Sequence, residues 1–363
     1  MNRRYADLLT HYCLDIQRGD RVFIRSTYLA EPLLQALVAS VSAAGGHPVL
    51  DVAVAEQGRL RLENADLDTL HWSNPLKARV METFEAYLFV RAPFNLSEDA
   101  DLDPAKRRAV QEAGAASKKV YMERTATRAL KRSLCQFPTD ASAQAAGLPL
   151  SAYRDFVHSA CKLDQDDPIA AWEALGREQQ VIVDHLNECR DIHYRGRDID
   201  IRFSTEGRTW INSDGRTNMP SGEVYTAPVE DSVQGEIRFS HPSIFMGQEV
   251  EDIRLVVRDG EVCEWTAGRG QDVLDQVFAI PGARRFGEAA VGTNFGIDRF
   301  TRNILFDEKI GGTIHMAIGQ AYGQCGGTNS STIHWDMIAD MTDGGEITAD
   351  GEVIYRDGRF IIG

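Results

Sequence analysis

Two rhythms of apolar residues divide this chain. In the first half, short apolar runs alternate with helical stripes. Arg21–Arg25 reads as a strand behind the turn Arg18-Gly19-Asp20, and Leu33, Leu34, Leu37, Val38 and Val41 share one face of a helix from Glu31 to Ala44. Gly45-Gly46 stops that helix, and Pro48–Val54 returns as an apolar strand. Strand, helix and strand in that order form a crossover unit, which packs when the two strands run parallel. A further strand at Ala86–Val90 and a helix from about Pro104 to Ala115 extend the series. The expectation is an α/β N-terminal domain on a doubly wound parallel sheet. No Gly-x-Gly-x-x-Gly or Walker-type loop follows any of these strands, which argues against a dinucleotide.

The second rhythm is strand and turn. Asp164–Cys189 carries a long helical pattern with Trp172, Leu175 and Val181-Ile182-Val183, and strand chemistry takes over at Asp198–Phe203. That change places a boundary near residue 195, giving domains 1–195 and 196–363; at 363 residues the chain exceeds the size at which one core keeps growing. Strands are expected at Thr209–Asn212, Glu236–Phe239, Ile253–Arg258, Glu261–Ala267 and within Gly351–Ile362, with hairpin signals at Asp259-Gly260 and Asp357-Gly358. The second domain therefore reads as a mixed α+β C-terminal metal-binding domain rich in antiparallel strands.

The metal in that description comes from a cluster in a chain with only nine histidines: His315, Tyr322, His334 and Asp336 lie within about two dozen residues. Neutral imidazoles and carboxylates are ligands for divalent transition metals. On an extended segment, His334 and Asp336 project to one face and Trp335 to the other. Thr313, His315 and Ala317 likewise share a face, opposite Ile314, Met316 and Ile318, so this strand has an apolar back and a functional front. Gly323-Gln324-Cys325-Gly326-Gly327-Thr328-Asn329 between them reads as a loop at the mouth of the site. The ordinary alternative for a lone strand histidine is a hydrogen bond to a carbonyl or water; it is the clustering that points to a metal.

Lys and Arg number 39 against 54 Asp and Glu, a net charge of −15 with no basic stripe, which argues against nucleic acid or an anionic membrane as partner. No window reaches the length of a membrane span, and no signal-peptide core follows Arg3-Arg4. Cys13, Cys135, Cys161, Cys189, Cys263 and Cys325 are dispersed without a metal spacing, so a reducing, cytoplasmic setting is expected. His193, His241, the acidic runs Glu98–Asp103 and Glu249–Asp252, and the strand tryptophans Trp210 and Trp265 read as structural.

Two further segments carry a resemblance. Asn218-Met219-Pro220-Ser221-Gly222-Glu223-Val224-Tyr225-Thr226-Ala227-Pro228 resembles the hallmark of the thermophilic aminopeptidase family of metallopeptidases, M29, and Arg285-Phe286-Gly287-Glu288-Ala289-Ala290 resembles its second segment. Thr-Ile-His315-Met-Ala-Ile-Gly, Tyr322 and His334-Trp335-Asp336 match the family pattern in type and order. Gly19-Asp20, Phe137-Pro138-Thr139 with Ala145, and Asp167-Pro168 with Trp172 resemble its N-terminal domain, so the likeness covers nearly the whole chain.

The resemblance implies Glu223, Glu288, His315, His334 and Asp336 as metal ligands, with Glu288 bridging two ions. It implies Tyr322 as a hydrogen-bond donor to a developing oxyanion, and Glu308 as a second catalytic position, although the spacing from Glu308 to His315 is longer than the family's. The cofactor implied is two divalent metal ions; the donor set accepts Zn²⁺, Co²⁺ or Mn²⁺ alike. Such a pair activates water, polarises a scissile carbonyl and holds a free amine. The activity implied is an aminopeptidase acting on short peptides or small amides, as a homodimer.

Two rivals stand beside it. His315, His334 and Asp336 alone would make the facial triad of a mononuclear non-haem Fe(II) ring-cleaving dioxygenase. Glu223 and Glu288 argue against it, because a one-metal triad gains nothing from two more carboxylates. A silent binding protein on the same fold would lack a ligand, and none of the set is missing.

Overall fold

The computed structural model describes residues 1–98 and 101–362; of the acidic run Glu98–Asp103, Asp99 lies outside them. The chain forms two compact units. The first comprises residues 1–158, 163–169 and 216–220; the second comprises 159–162, 170–215 and 221 onward.

The first unit is the expected α/β layer structure. Its sheet runs in the order His47–Ala53, Arg21–Thr27, Ala86–Arg91, Lys131–Gln136 and Asn218–Met219, all neighbours parallel. Val22, Ile24, Leu88 and Val90 are fully buried, and Leu33, Leu34, Leu37 and Val41 of the helix Glu31–Ala43 are buried as their spacing predicts. The helix that starts at Pro104 runs to Ala126, past the predicted end at Ala115. Asp103 caps it by accepting from the Ala105 amide, and Gly114 inside it costs about 1 kcal/mol. Val120 and Tyr121 beyond that glycine pack against the cluster of Phe23, Val80, Met81 and Leu130, which offsets the cost.

The second unit contains two large antiparallel sheets and the two-stranded hairpin of Ser243–Phe245 and Gln248–Val250. Eight strands run in the order Glu261–Thr266, Ile253–Arg258, Gln234–Phe239, Ile199–Ser204, Asp191–Gly196, Glu346–Ala349, Glu352–Arg356 and Arg359–Phe360. Five more run in the order His334–Asp340, Thr313–Gly319, Phe286–Gly292, Glu223–Thr226 and Ile211–Ser213. Asp259-Gly260 and Asp357-Gly358 turn hairpins with positive φ at both residues, as their chemistry predicts. Asp350-Gly351 turns a third in the same way.

The helix Pro168–Glu188 joins this unit from Ala170 onward, so the chain changes units within 159–170 rather than near 195. Packing explains the difference. Ile182, Val183 and Leu186 belong to the same core as Ile201, Phe239, Met316 and Trp335, and the change of local pattern at residue 198 falls inside a unit whose core is already under way. Strand pairing also begins earlier than expected, at Asp191.

Candidate metal centre

The five-stranded sheet sorts its side chains by alternation and register. Glu288 pairs with Ala317, which pairs with Asp336; Ala290 pairs with His315; Gly292 pairs with Glu223; Gly319 pairs with His334. With a side-chain period of two, Glu223, Glu288, His315, His334 and Asp336 all project from one face. Val224, Ala289, Val291, Ile314, Met316, Ile318, Trp335, Met337 and Ala339 project from the other into the main core. Ala290, Gly292 and Ala317 are the residues between the charged ones, and their small size leaves room for the larger groups to converge.

Five residues from four neighbouring strands therefore meet. His334 Nε2 lies 2.9 Å from Glu288 Oε2 and 3.5 Å from Asp336 Oδ1. His315 Nε2 lies 3.6 Å from Glu288 Oε1 and 3.6 Å from Glu223 Oε2. Ligand atoms of Glu288, His334 and Asp336 form one compact group, and those of Glu308, His315 and Asp336 form another. Glu308 thus joins the cluster despite its sequence spacing, because the short helix Ile304–Asp307 brings it back to the start of the strand that carries His315. The Gln320 carbonyl accepts from His334 Nδ1 at 2.7 Å, which turns Nε2 toward the carboxylates.

Sequence reasoning missed Lys309. It is fully buried, contacts Glu308, and sits 3.6 Å from Glu223 Oε1. The available signal was a lysine next to Glu308 and six residues before His315, but a lysine after two acidic residues is also what an exposed turn carries. Gly292 makes its approach possible: a Cβ there would stand 2.2 Å from the Ile310 carbonyl oxygen.

The electrostatics ask for more positive charge than the chain supplies. Four carboxylates face one lysine. Burial lowers the affinity of His315 for a proton, but the close approach of Glu288 first, then the charges of Glu223 and Asp336, outweigh this and lift it to about 9. His334 is lifted to about 11 against burial by Asp336 and Glu288. Burial first, then Glu223 and Asp336, push Glu308 up to about 8 against the pull of Lys309. Lys309 is itself raised, Glu223 and Glu308 overcoming its desolvation. Protons stand where a cation would serve better.

The residues fit a metal on a second ground. Glu223 Oε2 is buried with no hydrogen-bond partner, although it faces His315 Nε2. A gap of 3.6 Å is too long for a hydrogen bond, yet it is close to the roughly 3.4 Å between donor atoms sharing a tetrahedral ion with bonds near 2.1 Å.

Tyr322 stands at the edge, 39% exposed, its ring centroid 4.8 Å from that of His334. Local desolvation of its phenol, then the charges of Glu288, Asp336, Glu308 and Glu223, hold its proton well above the ordinary tyrosine range. The loop after it contains one 3-10 turn, Gly323–Cys325, where no regular element was expected. The residues read as structural lie elsewhere: His193 pairs with Asp200 at 2.6 Å, Trp265 packs on Phe278, and Trp210 is buried. Glu249 and Asp252 pair with Arg302 and Arg238.

Comparison with known proteins gives the family. The family model of thermophilic metalloproteases (M29) matches residues 2–360. Aminopeptidase 2 of Geobacillus stearothermophilus is 27% identical, over 98% of this chain and 97% of the relative. Aminopeptidase T of Thermus aquaticus is 32% identical over 57% of this chain and 58% of the relative. The solved structure of wild-type AmpT from Thermus thermophilus superposes with a TM-score of 0.84 at 25% identity, covering 99% of both chains. The chain belongs to the M29 thermophilic metalloprotease family. It is a metal-dependent peptide hydrolase, with the parallel-sheet and antiparallel-sheet architecture expected from its sequence. None of these comparisons supports the iron dioxygenase alternative.

Proposed function

We propose that the protein is an aminopeptidase that hydrolyses the N-terminal peptide bond of short peptides at a dinuclear centre held by Glu223, Glu288, His315, His334 and Asp336. The observation that carries this reading is the orientation of Glu288: one carboxylate oxygen faces His315 and the other faces His334. A carboxylate so divided is suited to be shared between two ions. When bound, divalent ions in such a centre supply Lewis acidity toward a carbonyl and a nucleophile at neutral pH.

The chain's own groups do the rest. Tyr322 keeps its proton and can donate it in a hydrogen bond to an oxygen that gains charge, without competing as a ligand. Glu308, part-buried beside Lys309 and close to His315 and Asp336, is placed to hold or release a proton near neutrality. Lys309 fixes Glu308 and Glu223 and offsets part of their charge.

The reading extends to a homodimer in the cytoplasm. Six free thiols suit a reducing compartment, and among the described residues no helix is long and apolar enough to cross a membrane. The test of the activity is a dipeptide panel with Zn²⁺, Co²⁺ or Mn²⁺ added, run beside the same peptides N-acetylated. Release of the first amino acid only from the free-amine peptides is the expected result; equal cleavage of the acetylated set would refute exopeptidase action.

A further inference from the structure

A cavity of about 150 Å³ adjoins the ligand face and is used by none of the steps above. Its floor is the strand His334–Asp340: His334, Asp336 and Ile338 alternate onto one side, so the cavity takes in two of the candidate ligands and extends past them. One wall is the hairpin of Ser243–Phe245 and Gln248–Val250, fixed to that strand by the Ser243 hydroxyl, which donates to the Asp336 carbonyl at 2.7 Å. The facing wall is the segment Phe300–Ile304, shaped by Asp307, whose carboxylate accepts from the Thr301 amide and hydroxyl and from the Asn303 amide.

Most of the surface these walls present is apolar. Ile338 is buried, Phe300 is half-buried, and Ile244 and Ile304 are 38% and 45% exposed, an unusual state for isoleucines beside a cluster of carboxylates. The charged groups around the cavity already have partners. Arg302 Nε donates to Glu249 Oε2 at 2.6 Å, and both oxygens of Asp307 are occupied as above. The carboxylates that line it are engaged, Asp307 by three hydrogen bonds and Asp336 beside His334, and Arg302 is held by Glu249, so a charged substrate side chain would have to displace a partner to find its own. At roughly 30 Å³ per water-sized group, the volume holds about five such groups.

We infer that this cavity is the subsite for the side chain of the substrate's N-terminal residue, and that it takes an uncharged aliphatic side chain of leucine, isoleucine or methionine size. The inference rests on the aminopeptidase reading above and adds the substrate class to it.

The experiment measures kcat/KM of the metal-loaded full chain on a series Xaa-Gly with Xaa as Gly, Ala, Leu, Met, Lys and Glu. Leu and Met should exceed Ala by at least about tenfold, the usual worth of filled apolar contacts, and exceed Lys and Glu by more. Ile304→Asp and Ile244→Asp, on opposite walls, should each shift the Lys-to-Leu ratio at least about tenfold toward Lys, because each adds a carboxylate that no protein group already engages. A flat series, or an unmoved ratio in both variants, overturns the assignment. If no peptide is cleaved, the aminopeptidase reading fails by itself, and calorimetry of free leucine against glycine with Zn²⁺ present still tests the cavity. Leucine bound at least about tenfold tighter supports it; equal binding overturns it.

Discussion

Replacing Glu288 by Gln isolates the charge of the group that sits between the two histidines. The amide has nearly the shape of the carboxylate, and the backbone pairing of this strand with Thr313–Gly319 and Glu223–Thr226 is untouched, so the fold should survive. What changes is electrostatic. Glu288 is 4% exposed, and its two oxygens lie 2.9 and 3.6 Å from imidazole nitrogens that would share its ions. A unit charge pair at such a site, with an effective dielectric near 20, is worth on the order of 4 kcal/mol at about 4 Å. Losing that toward one cation lowers affinity by about three powers of ten. An ion held at micromolar strength would then be lost on dialysis. The assay is elemental analysis after dialysis, with circular dichroism for the fold and dipeptide turnover for activity. Glu288→Gln should retain native spectra, about one ion fewer than wild type, and little turnover. Unchanged metal content and turnover would refute the bridging role.

Tyr322→Phe should lower kcat by about a hundredfold to a thousandfold, the usual cost of one oxyanion donor, with metal content unchanged by elemental analysis. His334→Ala should lose one ion and most turnover, whereas His241→Ala, whose ring rests against Phe300, should stay within about threefold of wild-type turnover. Gly292→Ala should destabilise the protein by about 1–3 kcal/mol in denaturant titration, since the added methyl meets the Ile310 carbonyl. Chelation should lower the melting temperature and added Zn²⁺ should restore it, because an ion that binds only the folded site stabilises by mass action.

Period and turn chemistry made much of this fold legible from the residues. The alternation around His315 and His334 placed the candidate ligands on one face and Ile314, Met316 and Trp335 on the other, because a strand leaves side chains no third direction. The βαβ opening was equally plain. What escaped was what depends on neighbours distant in sequence. Lys309 looks like surface until the backbone beside Gly292 brings it against Glu223, and the spacing from Glu308 to His315 says nothing about the turn that folds one onto the other. The division between units escaped for a related reason: Pro168–Glu188 is assigned by what its apolar stripe packs against, and a stripe does not name its partner. The cavity walled by Ile244 and Ile304 joins segments that are separated by some sixty residues and are unremarkable singly.

The central claim, a dinuclear centre that removes N-terminal residues, is tested most directly by counting metal ions per chain in gently purified protein while assaying amino-acid release from dipeptides on the same sample. The account predicts two divalent ions per chain and release of the N-terminal residue. A single iron per chain, no release and oxygen consumption would contradict it.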